Sequence, residues 1–227
     1  MTILEARDVT KTYETRGVET RALRGVTLDI EAGEFSALAG PSGSGKTTLL
    51  NLFGALDVPT SGVIRLEGQA LGDLSGSELA ALRLEKLGFV FQAYNLIPVL
   101  TARENVEFVM ELQGVKPGER HERAEKLLAE VGLADLGGKR PLEMSGGQQQ
   151  RVAVARAIAS GPRIVLADEP TANLDSTTAG QLLDLMHRMN QEHGVTFLFS
   201  THDPLVIEKA TRVVRLHDGQ IAADERR

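Results

Sequence analysis

The chain has 227 residues, of which 42% are hydrophobic and 25% charged, and its formal net charge is −6. This is a globular composition, and the chain is long enough to bury a substantial core. The acidic balance argues against non-specific nucleic-acid binding, which needs clustered Lys and Arg. With no cysteine, disulfides, thiolate catalysis and Cys-ligated metals are excluded as well. No run has the roughly 20 apolar residues that cross a bilayer, so we expect a cytoplasmic protein whose membrane role, if any, requires a partner.

The predicted elements of the first 70 residues are mainly strands. Apolar residues alternate between Gly25 and Gly33, which indicates a half-buried strand. The apolar run 35–39 predicts a short buried strand. A helix over 46–56 and a further strand over 63–66 follow it.

From about residue 75 to residue 160 the pattern becomes helical. Ser75 with Glu78 forms a capping-box signature before the first of these helices. Further helices are predicted over 103–112, 119–131 and 148–159. The last part alternates again: strand 164–167, helix 178–191, strand 195–200 and strand 211–216. Such alternation is typical of parallel βαβ units, and the terminal AADERR is expected to fray.

The first chemical motif directly follows the apolar run 35–39. It fits the phosphate-loop pattern G-x-x-x-x-G-K-[ST] with Gly40, Pro41, Ser42, Gly43, Ser44, Gly45, Lys46 and Thr47, and Thr48 comes next. Glycines let backbone N–H groups converge on phosphate oxygens at a helix N-terminus. Lys46 is predicted to reach the β- and γ-phosphates, and the Thr47 hydroxyl to bind Mg²⁺.

An acidic pair ends the strand predicted at 164–167. Asp168 at the tip is predicted to complete the Mg²⁺ site, and Glu169 to orient and deprotonate a water that attacks the γ-phosphate. Alone, such a pair is more often a helix cap or a solvated turn. Together with the phosphate loop it indicates a nucleotide hydrolase, which leaves a kinase, a GTPase and a helicase open.

A second glycine-containing turn narrows these alternatives. It consists of Ser145, Gly146, Gly147 and Gln148, and a helical run follows, so it predicts a second anion site. With it, the chain resembles the nucleotide-binding subunit of an ABC transporter. The resemblance implies an α/β fold: a P-loop NTPase core, an antiparallel β subdomain and an α-helical subdomain that carries the signature. It also implies one domain over 1–227, with the core at about 1–89 and 161–227 and the helical subdomain at about 90–160.

Further site residues follow from the resemblance. Tyr13 stands where the family stacks an aromatic ring on adenine, and Gln92 where its Q-loop glutamine binds Mg²⁺ or water. Asp175 matches the D-loop, and His202 the switch histidine, counted with Lys46 and Glu169 as catalytic. The resemblance implies a homodimer that sandwiches two ATP molecules, each held by one chain's phosphate loop and the other chain's signature. Met144 departs from the usual Leu, with a similar volume.

The chain resembles one branch of the family in particular. Segments 52–62, 87–108 and 168–176 are similar to the macrolide-exporter and lipoprotein-releasing branch. This implies an ATPase on the cytoplasmic face of the inner membrane that drives export or extraction of a lipoprotein, peptide or drug-like substrate through a separate permease. The alternative is an ATPase that signals across the membrane, for instance to a cell-wall hydrolase. The apolar run 91–100 fills the helical subdomain's core, receives a permease helix, or does both with alternate residues facing each way.

Overall fold

The architecture is described from a computed structural model for residues 1–15 and 17–227. Within these residues the strands are β1 (Thr2–Thr15), β2 (Val18–Glu31), β3 (Phe35–Ala39), β4 (Ser61–Leu66), β5 (Gln69–Ala70), β6 (Leu87–Phe91), β7 (Ile164–Asp168), β8 (Thr196–Thr201), β9 (Arg212–His217) and β10 (Gln220–Arg226). The helices are α1 (Lys46–Phe53), α2 (Gly76–Lys86), α3 (Ala102–Leu112), α4 (Pro117–Glu130), α5 (Gly146–Ala159), α6 (Ser176–His193) and α7 (Pro204–Lys209). None of these described helices is both long enough and apolar enough to cross a bilayer.

Two sheets organise the chain. The larger has the order β10-β9-β3-β8-β7-β6, and every neighbouring pair from β9 to β6 is parallel. The smaller is antiparallel, with the order β2-β1-β4-β5. Because parallel strands end at one edge, the segments that follow β3, β6, β7 and β8 meet there. These four segments contain the phosphate loop, Gln92, the acidic pair with Asp175, and His202, whereas Tyr13 lies in β1 and the Ser145–Gln148 turn begins α5.

The core lies on both faces of the parallel sheet. Strands β3 and β8 are buried along their whole length, as their apolar runs predict. Side chains alternate between the faces: Phe197 and Phe199 join one hydrophobic cluster with α3, α4, α5 and α6. Leu198 joins a second cluster with α1 and the antiparallel sheet. The parallel sheet is therefore a rigid base for the segments at its carboxyl edge.

Local sequence signals account for several helix starts. The capping box of Ser75 and Glu78 is confirmed, and Thr101 with Glu104 forms another before α3. Ser145 and Gln148 form a third before α5. Each box satisfies backbone N–H groups that a helix N-terminus leaves without an intrahelical partner.

The assignment of helical character throughout 75–160 is wrong at one place, because Leu87–Phe91 forms strand β6. All five of its residues pair with β7. Gly88 brings the strand against α5, since a Cβ built there would lie 2.4 Å from the Ala157 carbonyl oxygen. Five residues are too few to separate a buried strand from a buried helical turn by periodicity.

The expectation that the C-terminus frays is also wrong, because residues 220–226 form β10 beside β9. The Arg212 guanidinium donates hydrogen bonds of 2.8 and 2.7 Å to the Asp224 carboxylate and lowers the pKa of Asp224. Glu34 lies 3.1 Å from the same guanidinium. A buried cation shared by two carboxylates thus holds the last strand.

Another ion pair joins Lys86 to Glu67 at 2.8 Å and lowers the pKa of Glu67.

Candidate active site

The phosphate-loop pattern lies between β3 and α1, and the surrounding backbone leaves no room for a side chain at its first and last glycines. Gly45 has φ +100°, a left-handed conformation that favours glycine. A Cβ built there would lie 2.6 Å from the Ala22 carbonyl oxygen, and one built at Gly40 would lie 2.3 Å from that of Leu216. The loop is therefore held tightly between strands β2 and β9. Thr47 and Thr48 follow in the first turn of α1.

The polar groups of this loop fit a polyanionic ligand. The buried Lys46 ammonium donates to the carbonyl oxygens of Gly40 (2.7 Å) and Pro41 (3.0 Å). Among the described residues no carboxylate lies within ion-pair distance of it. The Ser44 hydroxyl is buried and lacks a hydrogen-bond partner. An ammonium held only by carbonyls and an unpartnered hydroxyl are groups that phosphate oxygens would satisfy.

A pair of oxygen ligands lies beside the loop. The Thr47 hydroxyl donates to the Asp168 carboxylate at 3.1 Å, although the two residues are far apart in sequence. The parallel sheet brings them together, since Asp168 ends β7 and Thr47 lies in the first turn of the helix that follows β3. Hydroxyl and carboxylate oxygens are ligands that Mg²⁺ accepts together with substrate phosphates, so this pair fits the predicted metal.

Glu169 is held in a strained and specific position. Its φ is +45°, an uncommon value for a residue with a side chain. Its N–H donates to the Ser200 carbonyl at 2.9 Å, which ties the turn after β7 to β8. The carboxylate accepts from the Thr201 hydroxyl at 3.1 Å and lies 2.6 Å from Nδ1 of the exposed His202 ring. The carboxylate is thereby oriented from the carboxyl edge of β8.

Tyr13 belongs to a polar cluster on the antiparallel sheet. Its hydroxyl donates to Asp57 at 2.8 Å, and the Lys11 ammonium lies 4.8 Å from the ring centroid, within cation–π distance. Burial and the hydrogen bond to Asp57 raise the pKa of Tyr13. The sequence does not predict roles for Lys11 and Asp57, because a single charged residue in a strand or a turn is usually solvated.

Gln92 comes directly after β6, and its residue is exposed. Its backbone carbonyl accepts a hydrogen bond from the Asn173 side chain at 2.9 Å. Asn173 lies in the turn between Glu169 and α6, so this bond joins the Gln92 segment to the acidic segment. Asp175 caps α6 by accepting from the Thr177 and Thr178 N–H groups, and its hydrogen bonds with Thr178 lower the pKa of Asp175.

The structure places the Ser145–Gln148 turn apart from the phosphate loop of the same chain. A Cβ built at Gly146 would lie 2.7 Å from the Tyr94 hydroxyl, and one at Gly147 would lie 2.6 Å from the Thr178 methyl. The turn therefore packs on the segment after Gln92 and on the start of α6. Among the described residues, no hydrogen bond joins 145–148 to 40–48.

Comparison with known proteins supplies independent findings. The chain matches the family model described as "ABC transporter" over residues 23–172. It is 47% identical over 223 residues to the macrolide export ATP-binding/permease protein MacB of Syntrophobacter fumaroxidans, which covers 97% of this chain and 31% of that protein. It is 47% identical over 225 residues to an uncharacterized ABC transporter ATP-binding protein of Thermotoga maritima, covering 99% of this chain and 96% of that one.

A solved structure is similar to this chain over nearly its whole length. The dimeric post-hydrolysis state of the ATP-binding cassette MJ0796, bound to ADP and Pi, superposes with a TM-score of 0.91 at 42% identity, covering 99% of this chain and 98% of that one. The chain thus spans nearly the whole of that cassette. By contrast, the matched region makes up only 31% of the length of the macrolide-export relative.

Proposed function

This chain belongs to the ABC transporter family, and we propose that it hydrolyses ATP to drive export or extraction of a substrate through a separate membrane permease. The predicted family and fold class are confirmed, and the chain is an ABC ATPase domain. One observation carries the proposal for the site: the ends of β3, β7 and β8 bring Lys46, the Thr47–Asp168 pair and the Glu169–His202 pair to one edge.

The residues at this edge divide the work of hydrolysis. Lys46 binds the phosphates through charge-assisted hydrogen bonds. Thr47, Asp168 and Gln92 would hold Mg²⁺, which when bound neutralises phosphate charge. Glu169 accepts a proton from the water whose oxygen attacks the γ-phosphorus, while the bond from that phosphorus to the departing ADP oxygen breaks. His202 keeps the Glu169 carboxylate oriented during this step.

A second copy of the chain completes each site in the proposal. Ser145, Gly146, Gly147 and Gln148 would contact the ATP bound by the other chain's phosphate loop. Two facts support this: the turn packs away from its own phosphate loop, and the similar cassette MJ0796 is described as dimeric. We further propose that residues 90–160 form the helical subdomain, with α5 carrying this turn.

The permease partner has a candidate docking groove of about 360 Å³ beside β6. Its lining includes Leu56, which is 50% exposed, together with Phe89 and Phe91. Two arginines and no carboxylate line it, which suits a permease segment that combines an apolar face with an acidic side chain. Such a partner would hold the chain at the cytoplasmic face of the membrane.

The apolar run 91–100 divides between the core and the surface. Leu96 packs against the core cluster around α3 and α5. Val99, by contrast, is 72% exposed. Leu96 is therefore a poor position for testing docking, because a charge there would disturb the core, and Leu56 in the groove is the better one.

The proposal is tested by the substitution Glu169→Gln. The amide keeps the shape of the side chain but cannot accept the water's proton, so ATP binding should persist while hydrolysis nearly stops. Size-exclusion chromatography with ATP should then show a dimer. The matched control, Glu169→Gln combined with Lys46→Ala, should stay monomeric because it lacks the phosphate-binding ammonium. An ATP-loaded Glu169→Gln protein that remains monomeric at high concentration would contradict the proposed sandwich.

A further inference from the structure

The segment that carries Gln92 contains a strained turn. We call residues 91–95 the Gln92 turn. Tyr94 has φ +60° and Asn95 has φ +50°, so two consecutive residues with side chains are left-handed. Such residues are costly, and they persist only where their surroundings hold them. Within the turn, the Tyr94 N–H donates a hydrogen bond to the Phe91 carbonyl (3.1 Å), and the Asn95 N–H donates one to the Ala93 carbonyl (2.6 Å).

A half-buried cation from α5 holds the strained part of this turn. One nitrogen of the Arg156 guanidinium donates to the Tyr94 carbonyl at 3.0 Å, and another donates to the Asn95 carbonyl. These are the carbonyls of the two left-handed residues. No carboxylate of the described chain pairs with Arg156, and burial lowers the pKa of this guanidinium. A cation partly withdrawn from water without a carboxylate partner is costly, and the hydrogen bonds to these two carbonyls offset part of that cost.

The same helix holds the beginning of the turn. The buried Gln150 amide donates to the Pro170 carbonyl at 2.8 Å and to the Phe91 carbonyl at 3.4 Å. Pro170 directly follows Glu169, so Gln150 bonds to the backbone beside Glu169 and to the backbone beside Gln92. Helix α5 thus contacts the Gln92 turn at both ends.

We propose that Arg156 is a positioning residue for ATP hydrolysis, holding the Gln92 turn in its left-handed conformation so that Gln92 faces the phosphate site. The inference rests on the proposed role of Gln92. Without the guanidinium, Tyr94 and Asn95 relax towards unstrained conformations, and Gln92, two residues away, is displaced. Within the described part of the chain, Arg156 makes no hydrogen bond or ion pair with the phosphate loop or Tyr13, so we expect nucleotide binding to be preserved without it.

The first test is Arg156→Met, which keeps an unbranched side chain but removes the donors. We expect kcat for ATP hydrolysis to fall about 10- to 100-fold, the scale of a misplaced catalytic group, while KM for ATP changes less than about twofold. A Michaelis–Menten series on the purified chain measures both parameters. An unchanged kcat, or a loss that appears mainly in KM, would overturn the proposal.

A matched pair at Asn95 tests the strain without touching Arg156. Asn95→Gly and Asn95→Val both remove the exposed side-chain amide, but only glycine adopts φ > 0 freely. Asn95→Gly should leave kcat unchanged, and Asn95→Val should lower it as Arg156→Met does. Equal activity of the two variants would refute the role of the strained turn, even if Arg156→Met failed to fold.

Gln92→Ala separates this inference from the proposed function. If Gln92→Ala keeps the original turnover, the proposed role of Gln92 fails and the inference fails with it. If Gln92→Ala loses turnover while Arg156→Met and Asn95→Val keep it, only the inference fails. Loss of kcat in all three supports both.

Discussion

The Lys11–Asp57 pair offers a sharp prediction about stability. The Lys11 ammonium donates to Asp57 at 2.6 Å and to the Val58 carbonyl at 2.7 Å, and Lys11 is only 8% exposed. The Asp57 side chain is 27% exposed. Burial alone would raise the pKa of Asp57. The hydrogen bonds from Lys11 and Tyr13 outweigh this effect and lower the pKa of Asp57. If the pair is broken, water can therefore solvate the Asp57 carboxylate more easily than the Lys11 ammonium.

This inequality sets the expected magnitudes. Asp57→Ala leaves a buried ammonium with one carbonyl partner, which should cost about 3 kcal/mol of unfolding free energy, the low end for breaking a buried pair. Lys11→Met leaves a carboxylate that water can reach and that keeps the Tyr13 hydroxyl, so its cost should be about 1 kcal/mol. The difference of about 2 kcal/mol corresponds to roughly 4–8 °C in melting temperature.

Calorimetry and urea unfolding of both single variants and the double variant measure these costs. The double variant should recover most of the Asp57→Ala loss, because no unpaired charge stays buried. Asp57→Ala should also raise KM for ATP, since Tyr13 loses the acceptor that orients its ring. The reasoning is refuted if Lys11→Met destabilises the chain as much as Asp57→Ala does.

Three further predictions follow from the site, the groove and the ion pairs. Lys46→Ala should lose ATP affinity and hydrolysis together, measured by nucleotide titration and turnover, and activity like that of the original chain would contradict the phosphate-loop assignment. Leu56→Glu should keep its melting temperature and ATP binding but lose copurification with the permease; the control Leu142→Glu, at a position 92% exposed and outside the groove, should keep it. Acid should destabilise the chain: Glu67 and Asp224 have lowered folded pKa values, so their contribution is present above the unfolded values near 4 and is lost as the pH falls through the folded ones. Melting temperatures that stay constant from pH 7 to about 3 would contradict this.

The sequence alone determined the features that depend on neighbouring residues. The phosphate loop is recognisable because its glycines, Lys46 and Thr47 are contiguous and lie between an apolar strand and a helix. The capping box at Ser75 spans one helical turn, so it too is visible in the sequence. Asp168 and Glu169 are identified by the buried strand that they end. From these contiguous motifs the family and the fold class could be predicted, and both are confirmed.

Only the tertiary structure decided the features whose partners are distant in sequence. Strand β6 exists because β7 offers it a parallel neighbour, and β10 is ordered because Arg212 holds Asp224. In the sequence Arg156 is only a charged residue among the apolar ones of α5, and the fold brings it to the carbonyls that follow Gln92. The physical reason is the same each time: such a residue gains its environment only when packing excludes water around it, and local periodicity carries no record of that packing.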